Sequence, residues 1–162
     1  MINREKGNSM SEWRQKTRIG VIGGSKADAA ALATAHRVGR LIAARGAILV
    51  CGGLAGVMEA AARGAKEEAG FTVGILPGVR PSEANPYIDI PIATCMGYSR
   101  NSLVAMNSDV LIAIDGEYGT LSEIAFGCIF GKKVIGLGTW EVAGVIPART
   151  PEEAVDLALK SV

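Results

Sequence analysis

This chain carries almost no net charge. Lys and Arg together number 17, Asp and Glu 16, leaving +1. Such a balance excludes the basic stripe of a nucleic-acid-binding surface. Paired cysteines are lacking too: Cys51, Cys95 and Cys128 are far apart, odd in number and form no metal-type or redox-type motif. No metal site is expected, and reduced thiols in a cytoplasmic location fit this usage. No apolar run reaches the ~20 residues that a membrane span needs, so no membrane partner is expected. The first 16 residues are polar and hold no apolar signal core. They are expected to be a mobile tail (1–16), with Met10 an alternative start, ahead of one domain over 17–162.

What is present is apolar and rich in glycine. Hydrophobic residues make up 49% of the 162, enough for a sizeable core. The 21 glycines sit mostly where strands meet helices rather than in low-complexity runs. Strands are expected at Arg18–Ile22, Ala47–Cys51, Phe71–Leu76, Ile88–Ala93, Val110–Ile114 and Lys133–Leu137. Between them the apolar spacing predicts helices over Ala27–Arg45, Gly56–Ala69, Tyr98–Asn107 and Gly119–Phe130. A last helix begins at Thr150-Pro151-Glu152-Glu153, with a cap, a proline in the first turn and a capping-box Glu. The strands are apolar without alternation, as when both faces are covered. The expected fold is therefore α/β: a doubly wound parallel sheet, Rossmann-like, in a single domain. Ligands of such sheets bind beyond the carboxyl ends of the strands.

Three glycine-rich junctions fall at those ends. The first is Gly23-Gly24-Ser25-Lys26, where Ser25 can donate to an anion and Lys26 can neutralise it. It lacks the dinucleotide fingerprint spacing, and no acidic residue follows the second strand to hold a ribose, so no NAD site is expected. A plain capped turn is the alternative reading. The second junction is Cys51-Gly52-Gly53-Leu54-Ala55-Gly56, where adjacent glycines let a ligand approach the backbone and Gly56 lets helix and strand pack closely. The third runs Asp115-Gly116-Glu117-Tyr118-Gly119-Thr120-Leu121-Ser122-Glu123. A helix starting there offers unpaired N–H donors and a partial positive charge to a phosphate.

The second and third junctions resemble the LOG-type nucleotide-binding proteins, which include cytokinin-activating phosphoribohydrolases and molybdenum cofactor carrier proteins. The family pattern Pro-Gly-Gly-x-Gly-Thr-x-x-Glu maps onto residues 115–123, and Gly-Gly-x-x-Gly-x-Met onto Gly52–Met58. The resemblance covers roughly residues 17–138 and implies a phosphorylated small molecule as ligand, a nucleoside monophosphate or the molybdenum cofactor. Phosphate contacts are implied for Gly23, Gly24, Ser25, Lys26, Gly52, Gly53, Gly56, Gly116, Gly119 and Thr120. No cofactor is required by this reading, and a homo-oligomer, dimer or tetramer, is implied. In the hydrolases an Arg and a Glu form the catalytic pair; Arg100 and Glu123 match them. A carboxylate beside the ribose could steady an oxocarbenium-like centre, and Arg100 could hold it ionised or clamp a phosphate. A structural ion pair at a helix end is the alternative.

Three departures favour the carrier branch. Asp115 stands in place of the family Pro, Glu117 in place of the second Gly, and Asn101 where the hydrolases have Lys. Two carboxylates beside a phosphate loop must turn away or be offset by Lys26, Arg100 or a divalent cation. His36 has no carboxylate near it in sequence and is expected to be exposed or at an interface. Cys51 either lines the crevice or is a buried strand-end thiol, and Met58 is expected in the core. Trp140 and Tyr87 lie in loops that could cover a ligand or meet another subunit.

Overall fold

The computed structural model describes residues 10–160. In chain order the elements are α1 (Met10–Gln15), β1 (Arg18–Gly23), α2 (Ala29–Ala44), β2 (Ile48–Cys51), α3 (Val57–Glu67), β3 (Phe71–Leu76) and β4 (Ile90–Ala93). After these come α4 (Asn101–Met106), β5 (Val110–Ile114), α5 (Tyr118–Ile129), β6 (Lys133–Leu137), β7 (Val145–Pro147) and α6 (Pro151–Leu159). The strands form one sheet in the order β4-β3-β2-β1-β5-β6-β7, and every neighbouring pair is parallel. The chain is thus a single-domain, Rossmann-like α/β fold, as its unbroken apolar strands require. No helix among the described residues is long and apolar enough to cross a membrane.

Sheet topology positions the site. Parallel neighbours need a crossover, and right-handed crossovers put a helix on the face set by the direction of travel. From β1 the chain steps outward to β2 and β3; Ile19, Val21 and Leu49 pack there against α2 and α3, joined by α6. From β5 it steps the other way, and Ile22, Leu111 and Ala113 pack with α4 and α5 on the opposite face. The reversal falls between β1 and β5, where Gly23 is in register with Ile114. A crevice must open at their carboxyl ends, because the helices that follow depart to opposite sides.

The crossing of α2 and α3 tightens one wall of that crevice. A Cβ on Gly39 would lie 1.9 Å from the Ala61 carbonyl oxygen, and one on Gly64 would lie 2.1 Å from that of His36. The two helices therefore meet backbone to backbone. At the head of α3, Val57 N–H donates to the Gly24 carbonyl at 3.0 Å. Gly56 has φ +70°, and a Cβ there would sit 2.3 Å from that same oxygen. Only glycine allows this stitch between the first two junctions.

Several expectations are corrected. Residues 10–15 belong to α1 rather than to a tail: Trp13 packs on Phe71 with ring centroids 4.7 Å apart, and the Lys16 ammonium sits over the indole. Residues 1–9 of the tail expected over 1–16 lie outside the described residues. Tyr98–Asn107 is not one helix but a 3-10 turn, Gly97–Arg100, running into α4. β7 was not foreseen, since three residues ending in a proline carry too little pattern; they pair only at the sheet edge. α2 begins at Ala29 because Asp28 caps it, accepting from Ala31 N–H at 2.8 Å. His36, with no carboxylate near it in sequence, is partly buried and meets Glu67 of the facing helix at 3.0 Å. The capped start of α6 is as expected, with Thr150 accepting from Glu153 N–H.

Candidate functional site

A cleft of about 730 Å³ opens at the carboxyl ends of the central strands, a size suited to a nucleotide-scale ligand. Its floor and walls come from all three junctions. Gly23, Gly24 and Ser25 follow β1, Leu54 and Met58 follow β2, and Glu117–Thr120 lead from β5 into α5. The turn before α4 contributes Tyr98 and Arg100, and the first residue of α4 contributes Asn101.

Arg100 is the one buried Lys or Arg among the described residues. It is 8% exposed, at the end of the 3-10 turn. A Cβ on Gly52 would lie 2.5 Å from its Nη2, so the bare glycine backbone makes room for the guanidinium. Nη1 donates to the Asn101 side-chain oxygen and lies 3.5 Å from Glu123 Oε1. Nε, fully buried, has no hydrogen-bond partner. Leaving a buried donor unpaired costs about 1–3 kcal/mol, and more on a charged group. An ordered water or ion beside it would supply the acceptor.

Asn101 fixes the geometry around Arg100. Its Nδ2 donates to the Gly119 carbonyl at 3.2 Å and to Ser122 Oγ at 2.8 Å. Ser122 Oγ donates in turn to the Gly119 carbonyl at 2.6 Å. The residue that replaces the hydrolases' Lys thus ties the start of α4 to the first turn of α5. Neither Asn101 nor Ser122 was singled out as a site residue from sequence, because a short polar side chain gives no local signal of a contact across two helices.

Glu123 is 6% exposed. Burial pushes its carboxyl up to about 8, and the Arg100 charge opposes this only in part. At 3.5 Å the pair is too long for a good hydrogen bond, so burial prevails over attraction. Near neutral pH the carboxyl therefore keeps its proton, and the Arg100 charge stays available to an anion. Cys51 lies behind them, fully buried, with its thiol pushed up to about 12 by burial. It is an inert strand-end thiol and is absent from the cleft wall.

The third junction departs from the family pattern in a way the fold separates. Asp115 holds φ +49° and Gly116 φ +109°; a Cβ on Gly116 would meet Thr120 Oγ1 at 2.3 Å. Asp115 lines a second, smaller cleft of about 280 Å³, shared with Asp28 and Arg149. Glu117 alone of the two lines the main cleft. It stands at the N-cap of α5, yet its side chain makes no capping bond. Its backbone, at φ −104°, needs no glycine. Glu117→Gln is therefore expected to fold normally and to tighten binding of a phosphate monoester about two- to fivefold at low salt. The gain should shrink at high salt as screening removes the repulsion. Titration with AMP at two ionic strengths measures it, and an unchanged or weaker affinity would count against a phosphate beside this loop.

The predicted site residues divide into two layers. Gly23, Gly24, Ser25, Gly119, Thr120, Arg100 and Glu123 line the cleft together. Gly52, Gly53, Gly56 and Gly116 stand behind it, shaping the backbone rather than lining the wall. Gly53, for example, has its carbonyl taken by Asn85. Lys26 is exposed and outside the cleft lining. Met58 is buried and reaches the cleft from below. Tyr87 is partly buried, with its carbonyl accepting from Thr72 at 2.6 Å, and does not reach the cleft. Among the described residues no group of His, Cys, Asp and Glu is placed to hold a metal.

The chain is similar to known proteins over most of its length. The sequence model of the SLOG cluster4 family matches residues 16–160. An uncharacterized protein of Archaeoglobus fulgidus is 46% identical over 144 residues, which are 88% of this chain and 95% of that protein. Among solved structures, the molybdenum cofactor binding protein of Rippkaea orientalis superposes with a TM-score of 0.84 at 36% identity, covering 88% of this chain and 95% of that one. The Moco carrier protein of Chlamydomonas reinhardtii superposes at 0.82 with 36% identity, covering 90% and 97%.

Proposed function

The chain belongs to the SLOG cluster4 family, and from that premise we propose that it binds a phosphorylated, nucleotide-like ligand as a carrier of the molybdenum cofactor kind. The observation that carries this reading is the buried Arg100 guanidinium, set on a cleft wall beside the uncapped start of α5. The helix start offers N–H donors and a partial positive charge, and the guanidinium offers a fork that matches a phosphate. Thr120 and the lining glycines Gly23, Gly24 and Gly119 complete the cradle. Solved relatives over a third identical are described as a molybdenum cofactor binding protein and a Moco carrier protein. Equilibrium titration with the molybdenum cofactor and with AMP tests the reading. Binding of at least one in the micromolar range is expected; no binding of either at high micromolar concentration would end it.

A second reading rests on Glu123. A buried carboxyl that keeps its proton near neutral pH, 3.5 Å from an arginine, has the protonation of a general acid. A nucleoside monophosphate in this cleft would then be cleaved at its N-glycosidic bond. Incubation with AMP should release free adenine and ribose 5-phosphate, and Arg100→Ala and Glu123→Ala should each abolish the release. A carrier without chemistry gives none.

The protein is further proposed to be a cytoplasmic homo-oligomer. Its cysteines are free. Ile90, Ile92, Met106 and Ile129 are between 45% and 72% exposed on β4, α4 and α5. Ile90 and Ile92 lie in register with Val73 and Ile75, on the face that α4 and α5 cover. Light scattering of the purified chain should give a dimer or tetramer mass.

A further inference from the structure

Two exposed tyrosines stand on the cleft wall. Tyr98 is 87% exposed and Tyr118 80% exposed, and both line the cleft that holds Arg100. They arrive from different elements, Tyr98 from the 3-10 turn before α4 and Tyr118 from the first position of α5. Exposing large aromatic surface is unfavourable unless something covers it. Tyr118 is also held from behind. Its ring lies 5.7 Å from that of Trp140, and the indole N–H donates to the Glu117 carbonyl at 3.2 Å. The brace is thus anchored on the loop that precedes α5. Its partner on the other wall follows Gly97, whose φ is +54°.

The size of the cleft makes the same point. About 730 Å³ is many times what one phosphate fills, and Glu117 is the one other charged group on its lining besides Arg100 and Glu123. The rest of the lining is glycine backbone, uncharged hydroxyl and amide side chains, Leu54, Met58, Pro77 and the two tyrosines. Apolar walls with aromatic faces suit a flat, uncharged ring rather than a second anionic group.

We infer that Tyr118, braced by Trp140, and Tyr98 form a ring subsite that takes the planar heteroaromatic part of the ligand, making them the residues that distinguish a ring-bearing phosphate ester from a bare sugar phosphate. The inference rests on the phosphate reading of the cleft. Tyrosine is suited to this work because a rigid ring with two rotatable bonds loses little entropy on contact, and base–aromatic stacking tolerates many ring types.

AMP and ribose 5-phosphate separate the two layers of the argument, since they differ by the ring alone. The wild-type chain should bind AMP at least tenfold more tightly than ribose 5-phosphate. Tyr118→Leu and Tyr98→Leu should each weaken AMP about five- to tenfold and leave ribose 5-phosphate unchanged. Both tyrosines are exposed, so both variants should melt like the wild type. Independently, in a Trp13→Phe background the remaining indole is Trp140, and AMP should change its fluorescence where ribose 5-phosphate does not. Equal affinity of the two probes for the wild type, or equal weakening of both by the tyrosine variants, would overturn the ring subsite while leaving the phosphate site standing. If neither probe binds the wild type, the ring subsite falls, and titration with the molybdenum cofactor decides whether the phosphate reading falls with it.

Discussion

Arg100→Ala is expected to lower the affinity for AMP or the molybdenum cofactor by about a hundredfold or more, with the protein still folded. A hydrogen bond to a charged group contributes about 1.5–3 kcal/mol. Two such bonds from one guanidinium therefore amount to two or more powers of ten, at about 1.4 kcal/mol per tenfold. The stability cost should be smaller than for an ordinary buried pair. Breaking a buried ion pair costs about 3–5 kcal/mol when it strands a charge. Here the partner left behind is Glu123, whose carboxyl already sits at about 8 and is neutral at pH 7. The Nε donor that lacks an acceptor disappears as well. Arg100→Lys should not restore binding, because a point charge cannot reproduce the planar fork over Gly52. Calorimetric titration beside thermal melts measures both effects. An alanine variant that binds like the wild type would remove Arg100 from the site.

Anion binding should weaken about tenfold between pH 7 and pH 9, and Glu123→Gln should abolish that dependence. With the carboxyl at about 8, roughly nine-tenths of it is protonated at pH 7 and roughly one-tenth at pH 9. Once ionised, Glu123 competes with the ligand for the Arg100 charge 3.5 Å away and repels a phosphate directly. Folding follows the same proton. The native carboxyl lies above its ordinary value of 4.5, so the native state holds the proton more tightly than the unfolded chain. Its contribution to stability is complete below pH 4.5 and is lost as pH rises through about 8. Melting temperatures of the wild type should fall over that window more than those of Glu123→Gln. Titrations at three pH values with AMP, run on both proteins, decide it; a flat wild-type profile would mean that Glu123 does not face the bound anion.

Much of the architecture was legible because it depends on local chemistry. Unbroken apolar runs such as Val110–Ile114 state that both faces are covered, and glycines at each strand end state where the chain turns. Those patterns are short-range, and six of the seven strands followed from them. The pairing of Arg100 with Glu123 was legible from the spacing of a family motif. Its condition was not: whether the carboxyl keeps its proton depends on how deeply α4 and α5 bury it, which no spacing records. The Asn101–Ser122 tie and the Trp140 brace behind Tyr118 were equally invisible, since each joins side chains about 20 residues apart across two elements. The substitutions at 115 and 117 looked equivalent as letters. The backbone turn between them gives Asp115 to the smaller cleft and leaves Glu117 at the larger one. Sequence alone determined the alternation of strands and helices and the places where backbone donors gather, because these follow from the period and the turn chemistry of neighbouring residues. Tertiary structure alone decided which side chains share a wall, which are sealed from water and which charge goes uncompensated, because burial and long-range contact exist only once the helices have closed over the sheet.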